Sequence, residues 1–405
     1  MTKRRQIILI LICFIAYTFA QLGRYSYNSN VTLVMDRFNV DHAVASVPAT
    51  FFFFAYGIGQ IIVGLLCNKM NRKLLIVTAL FLSGVINLVV YFGASLFAVT
   101  YLWLINGLVQ ANLWPVLLLI LRENLPPEKM AIAGIFMGFA SAGGKLLSIG
   151  VCAVFAIDTN SFMYCFLTAG ILLLSISVLF FFLAGKIKSP ERTTVKPEKT
   201  QKSVNPKTNG KAVILLLLLG EFSLASYAIL GGLQSWVPSI LKDSYGMTDS
   251  LSIFMSILLP LFTLLAVLIS PYLYRRYKNY IFVSAILFIV GAVVILGVLL
   301  FLDVGYLPVI VLLTVESIIM GIISDTTTVQ VPLNFKGKIN AGFLAGYMNG
   351  TCYIGTALAT YVLGALADAS GWTGAFILLI CIAGISALSA FIYLLFNLKT
   401  KKSDP

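Results

Sequence analysis

Residues 186–210 read KIKSPERTTVKPEKTQKSVNPKTNG, and the position of this polar stretch determines how the rest of the chain divides. It is rich in Lys, Thr and Pro and carries no apolar periodicity, so it reads as a flexible linker. The chain on either side of it is apolar. Of 405 residues, 60% are hydrophobic and 11% charged, against roughly 45–50% and 25% in an ordinary soluble domain. Those proportions exclude a water-soluble globule and a disordered chain. The net charge of +13 would suit nucleic acid only on a solvated basic face. Too little polar sequence remains to build one, and the solvent that fits is a lipid bilayer.

A helix crosses a bilayer core with about 20 apolar residues. That rule gives twelve candidate spans: 6–35, 43–67, 73–93, 96–121, 131–157, 161–185, 211–240, 249–274, 279–301, 307–332, 341–366 and 371–397. The expected fold is an all-α membrane protein of twelve transmembrane helices in two six-helix pseudo-repeats. Residues 1–185 form one bundle, 186–210 the cytoplasmic linker and 211–405 the other bundle. The apolar run after the basic start outlasts a signal peptide and lacks a small-residue cleavage site, so it is expected to be kept as the first span.

Charge sets the orientation. With a cytoplasmic N-terminus, 24 of the 28 Lys and Arg residues fall in cytoplasmic segments. Only Arg37 and Lys242 fall in outer loops, where seven aspartates (36, 41, 158, 243, 249, 303 and 368) also lie. A missing span would invert the bias beyond it, so the asymmetry supports the count as well as the orientation. Both termini are expected in the cytoplasm of what reads as a bacterial cell with this protein in its cytoplasmic membrane.

The two sides of the linker echo each other. Leu22-Gly23 recurs as Leu230-Gly231, Asp36-x-Phe38 as Asp243-x-Tyr245, and Gly134-x-x-x-Gly138 as Gly342-x-x-x-Gly346, all at an offset of 207 or 208 residues. Parallel repeats of this kind place a substrate site near mid-membrane, between halves that rock against each other. The six cysteines are scattered singly and His42 is the only histidine, so no metal site or disulfide framework is expected. No Walker A motif and no nucleophile–base constellation occurs. Energy is expected from a gradient or from exchange, with no cofactor and no enzymatic activity.

The stretch Gly64-Leu-Leu-Cys67-Asn68-Lys69-Met70-Asn71-Arg72-Lys73 resembles the G-x-x-x-D-R-x-G-R-K loop of the major facilitator superfamily, with Asn68 and Asn71 in place of its Asp and Gly. Within that superfamily, Gly107-Leu-Val-Gln110-Ala-Asn-Leu-Trp114-Pro115 is similar to the G-x-x-Q-G-x-x-W-P pattern of the organophosphate:inorganic phosphate antiporters, and Pro127-Glu128-Lys129 with Gly134 continues it. The resemblance implies the twelve-helix facilitator fold, transport of phosphorylated metabolites such as glycerol-3-phosphate or hexose phosphate, and a phosphate-binding arginine at Arg24. The departures bear on the substrate. Leu230 stands where that branch keeps a second arginine, Gln60 where it keeps a lysine, and Ala140 near its histidine.

Five ionisable residues lie inside spans: Arg24, Lys145, Glu221, Glu316 and Asp325. Each costs about 2.5–3.5 kcal/mol to insert, which marks them as functional or as ion-pairing groups. Arg24 offers a permanently charged fork suited to phosphate or carboxylate; the other reading is an arginine snorkelling to the outer interface. Lys145 is too deep to snorkel. It is either a second cation for an anionic substrate or a latch to Glu221 or Glu316. The three acids are candidates for proton coupling or gating. Polar and aromatic groups expected to orient a ligand are Tyr25, Tyr56, Gln60, Gln110, Trp114, Gln234, Trp236 and Asn349, while Gly57, Gly64, Gly143, Gly342 and Gly346 are expected to allow close helix contact.

The leading expectation is a secondary active transporter of a small organic anion, monomeric, with the bilayer and the substrate as its partners and no nucleic acid. Proton-coupled transport of a neutral or cationic solute, and a transporter-like membrane receptor, are the alternatives.

Overall fold

The computed structural model describes residues 3–66, 71–93, 95–158, 160–184, 210–277, 279–334 and 341–402. The linker therefore lies outside the described residues except for Gly210, where the seventh span starts. Asn68, between spans 2 and 3, lies outside them too.

Among the described residues twelve spans are formed. Span 1 is Lys3–Asn28, continued after a break by Val31–Phe38; span 2 is His42–Leu66 and span 3 is Arg72–Tyr91. Span 4 comes in two pieces, Leu96–Gln110 and Leu113–Asn124; span 5 is Pro127–Phe155 and span 6 is Tyr164–Leu183. Span 7 is Gly210–Tyr245, span 8 combines Asp249–Ser256 with Leu258–Arg276, and span 9 is Tyr280–Phe301. Span 10 is Tyr306–Asp325, followed by a wider π-type turn, Thr326–Gln330. The final helical run, Ala341–Lys402, breaks at Gly371 (φ 70°, ψ −178°). That backbone conformation is one only glycine adopts freely, and it divides the run into spans 11 (341–370) and 12 (372–402).

The sequence places each start. Asn71, Ser95, Thr248 and Asn279 precede spans 3, 4, 8 and 9, and each side chain accepts a hydrogen bond from the backbone N–H three residues on. These caps satisfy donors that a helix end leaves orphaned. The break in span 4 has a covalent cause. Pro115 has no N–H to offer the carbonyl of Ala111, and its ring crowds that carbonyl. The helix therefore stops at Gln110 and restarts at Leu113.

Large apolar side chains such as Phe54, Phe139 and Leu268 lie exposed around the bundle (48%, 58% and 73%), a surface that only hydrocarbon covers well. Inside, span 1 packs on spans 5 and 6, span 2 on spans 4 and 11, and span 7 on span 11. The contact between spans 2 and 11 joins the first six spans to the last six. It is close because a Cβ on Gly57 would come within 2.8 Å of the Gly350 carbonyl oxygen. Gly57 thus behaves as the sequence suggests. Gly143 does not, since nothing lies within 4 Å of where its Cβ atom would stand. Equivalent positions of the pseudo-repeat also meet: Asn28 Nδ2 donates to Ser235 Oγ at 3.1 Å, the two residues being 207 apart.

The distal end of the bundle, opposite the two termini, is closed by charge. His42 lies with Nδ1 2.6 Å from Asp368 and Nε2 2.9 Å from Asp243. With a carboxylate at each ring nitrogen, both nitrogens donate, as in the imidazolium. Asp368 also accepts from the backbone N–H groups of His42 and Ala43 (3.1 and 2.7 Å), so it caps span 2 from the other set of spans. Lys242 bridges Asp36 and Asp249 at 2.7 and 3.0 Å. Lys242 is therefore not an ordinary loop cation but a tie across the distal boundary.

Candidate functional site

Arg24 is fully buried (0% exposed) and points from span 1 towards spans 2, 4 and 11. Its Nε donates to Gln110 Oε1 at 3.2 Å and Nη1 donates to the Tyr353 hydroxyl at 3.3 Å. The guanidinium lies 4.1 Å from the centre of the Tyr56 ring, and Phe52 and Tyr353 flank it at 5.7 and 5.9 Å. Such cation–π contacts are worth about 2 kcal/mol when desolvated, which offsets only part of the cost of burying the charge. Among the described residues no carboxylate pairs with it, and its Nη2 has no hydrogen-bond partner. The snorkelling alternative is thereby removed, because the group is enclosed.

The break in span 4 puts Gln110 where it can serve this arginine. Its Nε2 donates to Ser83 Oγ (2.8 Å) and to Asn106 Oδ1 (3.2 Å), which leaves Oε1 turned to Arg24. Arg24 is therefore anchored within the first six spans and touched from the last six through Tyr353.

Lys145 lies beside Arg24's helix. Its ammonium is 3.4 Å from Gln234 Oε1 and 5.0 Å from the Tyr25 ring. It lines a narrow cleft between the two sets of spans, together with Tyr25, Asn28, Gln234 and Ser256. The latch from Lys145 to Glu221 or Glu316 is not formed. Glu221 accepts from Ser386 and Ser389 (2.5 and 3.0 Å). Asp325 accepts from Ser270 and from Gln330 Nε2 (3.0 Å for the latter). Glu316 is 0% exposed, sits against Gly291 and Met320 of spans 9 and 10, and neither of its oxygens has a hydrogen-bond partner. All three acids thus lie within the last six spans.

The remaining candidates separate into groups. Tyr56 and Gln110 belong to the Arg24 cluster, and Tyr25 and Gln234 to the Lys145 cleft. Gln60 and Asn349 meet each other instead: Asn349 Nδ2 donates to Gln60 Oε1 at 2.7 Å across spans 2 and 11. Trp114 packs on Tyr17 with ring centres 4.9 Å apart. Trp236 lies away from both cations. Its Nε1 donates to the Thr360 carbonyl at 2.9 Å, and its ring packs at a tilt against His42 and Trp372 under the distal closure. Tyr353 is a polar aromatic of a cavity helix that the sequence also offers, whereas Phe52, which flanks Arg24, and Phe53, whose ring lies 6.1 Å from that of Tyr353, are outside the expected ligand set. The signal for Phe52 and Phe53 was their spacing from Tyr56 on one helix face.

Residues 13–360 match the family described as Major Facilitator Superfamily. The Membrane sensor protein UhpC of Escherichia coli (strain K12) is 26% identical over 107 residues, which is 26% of this chain and 24% of that protein. The protein of the same name from Salmonella typhimurium is 24% identical over 107 residues. The match therefore spans about a quarter of the length of these relatives. Among solved structures, a bacterial homolog of the human lysosomal transporter Spinster, inward-facing and occupied, superposes with a TM-score of 0.79 at 12% identity, covering 97% of each chain. A D-xylose-proton symporter gives 0.75 at 14%, covering 96% of this chain and 97% of the other, and the nucleoside transporter NupG 0.69 at 18%, covering 96% and 98%. At such identities the likeness is one of fold. With the family match running from span 1 into span 11 of the helical bundle just described, the chain belongs to the Major Facilitator Superfamily and is a multi-pass membrane protein.

Proposed function

We propose that the protein moves a small organic anion across the membrane by alternating access, with Arg24 taking the anionic group. The observation that carries this reading is a fully buried guanidinium with no carboxylate partner and an unused donor at Nη2. A permanent charge in an apolar interior stays there at several kcal/mol of cost unless something compensates it, and a phosphate or carboxylate oxygen is the compensation its geometry accepts. The ligand would sit between the two sets of spans, so that binding favours their closure around it. Phosphorylated and carboxylated metabolites both satisfy this chemistry.

The test is saturable uptake of labelled phosphate esters and carboxylates into proteoliposomes, with Arg24→Gln and Arg24→Lys alongside. Charge-assisted hydrogen bonds are worth about 1.5–3 kcal/mol, so Arg24→Gln is expected to weaken apparent affinity roughly 10- to 150-fold while the protein stays folded. Wild-type kinetics in that variant would sink the reading.

Two further readings each have one observation behind them. The buried and unpartnered Glu316 supports proton-coupled transport, in which collapse of a pH gradient halts accumulation. The similarity to a protein named as a membrane sensor supports a receptor role, in which the purified protein binds its ligand without moving it.

A further inference from the structure

Arg24 and Lys145 are two cations at one boundary, and among the described residues neither pairs with an acid. Spans 1 and 5 pack side by side at a constant offset of 126 residues: Ser148 Oγ donates to the Leu22 carbonyl and Cys152 Sγ to that of Ser26. That register sets Lys145 level with Phe19, five residues or about 7.5 Å along the axis from Arg24. The Lys145 side chain then climbs back, since its ammonium is 5.0 Å from the ring of Tyr25, the residue next to Arg24. Between the two charges runs a series of aromatic rings. Tyr25 and Phe53 have centres 6.2 Å apart, Phe53 and Tyr353 6.1 Å, and Tyr353 lies 5.9 Å from the guanidinium carbon.

Charge balance decides what such a site takes. A ligand with one singly charged group neutralises one cation and strands the other where a bare charge is costly, and a doubly charged phosphate held at Arg24 still leaves the ammonium of Lys145 without an oxygen in contact. Glu221 and Asp325 are committed to hydroxyl and amide donors, and Glu316 is packed against span 9. None of them supplies the missing charge.

We propose that the substrate is a two-headed organic anion, one anionic group held by Arg24, the other by Lys145, and its body lying along Tyr25, Phe53 and Tyr353. This inference rests on the reading of Arg24 given above and adds Lys145 as the residue that selects two charges over one. Gln234 positions the ammonium by accepting its hydrogen bond.

The experiment is ligand-induced thermal stabilisation of the purified full-length protein. The probes are α,ω-dicarboxylates of four to ten carbons, the phosphate monoesters of ω-hydroxy acids of the same lengths, and the monomethyl ester of each carboxylate. The proteins are wild type, Arg24→Gln, Lys145→Gln and Lys145→Arg. At a preferred length the two-headed probe is expected to bind wild type at least about tenfold more tightly than its monomethyl ester. Lys145→Gln is expected to erase that preference by weakening the two-headed probe alone, and Lys145→Arg to restore it. The inference is overturned if no two-headed probe outbinds its ester, or if Lys145→Gln weakens both alike. Loss of all binding in Arg24→Gln belongs to the earlier reading. If Arg24→Gln leaves binding intact while Lys145→Gln lowers it, that earlier reading fails separately.

Discussion

His42 Nε2 lies 2.9 Å from Asp243 Oδ2, joining the distal ends of spans 2 and 7 across the boundary between the two sets of six. Asp243 also accepts from Trp372 Nε1 at 3.0 Å, so one carboxylate holds both the ion pair and the tryptophan lid. Asp243→Asn and Asp368→Asn are expected to loosen the distal closure. Half-exposed pairs are worth up to about 1 kcal/mol each, roughly a fivefold rise in the open fraction. In a cysteine-free background carrying Ser235→Cys, labelling by a membrane-impermeant maleimide from the distal face measures this. Unchanged labelling would mean that the rings of Trp236 and Trp372 hold the closure without the charges.

Lys242 contributes to the same closure by a separate bridge. Lys242→Gln and Asp36→Asn are each expected to raise the same labelling two- to fivefold, on the order of 0.5–1 kcal/mol. The double variant should do no more than Lys242→Gln alone, because both substitutions remove the same Lys242–Asp36 bridge across the boundary, whereas Asp249 lies on the same side as Lys242. Additive effects would show that the pair is not formed in the membrane.

Gln110→Leu removes the amide oxygen that fixes Arg24 Nε and leaves a buried donor unsatisfied. The expected cost is about 1–3 kcal/mol, read as a rise in KM for the anion with little change in kcat. Ser83→Ala, one step further out, should have a smaller effect of the same sign. A change confined to kcat would place Gln110 in the movement rather than in the positioning of Arg24.

Gly57→Val is expected to reduce transport at least about tenfold while the protein still reaches the membrane, since overpacking a close helix contact costs about 1–3 kcal/mol and here it props spans 2 and 11 apart. Gly143→Ala makes the contrast: with open space at its Cβ position it should transport as wild type. Equal behaviour of the two variants would contradict the packing of spans 2 and 11.

The architecture was legible because its signals are one-dimensional. Apolar runs of about 20 residues and the one-sided distribution of Lys and Arg give spans and their order. Depth along a span was legible as well, and it brought Arg24, Lys145, Tyr56 and Gln110 forward. Azimuth was not. Trp236 and Gln234 lie on one helix at similar depth, yet one faces the Thr360 carbonyl and the other Lys145, and only tertiary packing separates those directions. The distal ties are hidden in the sequence for a related reason. Asp36, His42, Lys242 and Asp368 read as solvated loop groups because their partners are 201 to 326 residues away. Gly143 read as a contact glycine from composition alone, whereas contact depends on which neighbour the helix presents.

The Tyr353 hydroxyl that meets Arg24 belongs to the opposite six spans, so it arrives only when the two sides come together. It supplies a neutral oxygen to Nη1, while Gln110 on the near side supplies one to Nε. The guanidinium therefore draws one partner from each side of the boundary, so parting the two sides strips it of a partner. One phenolic oxygen thus makes the surroundings of the buried charge depend on how the two sides of the protein stand to each other.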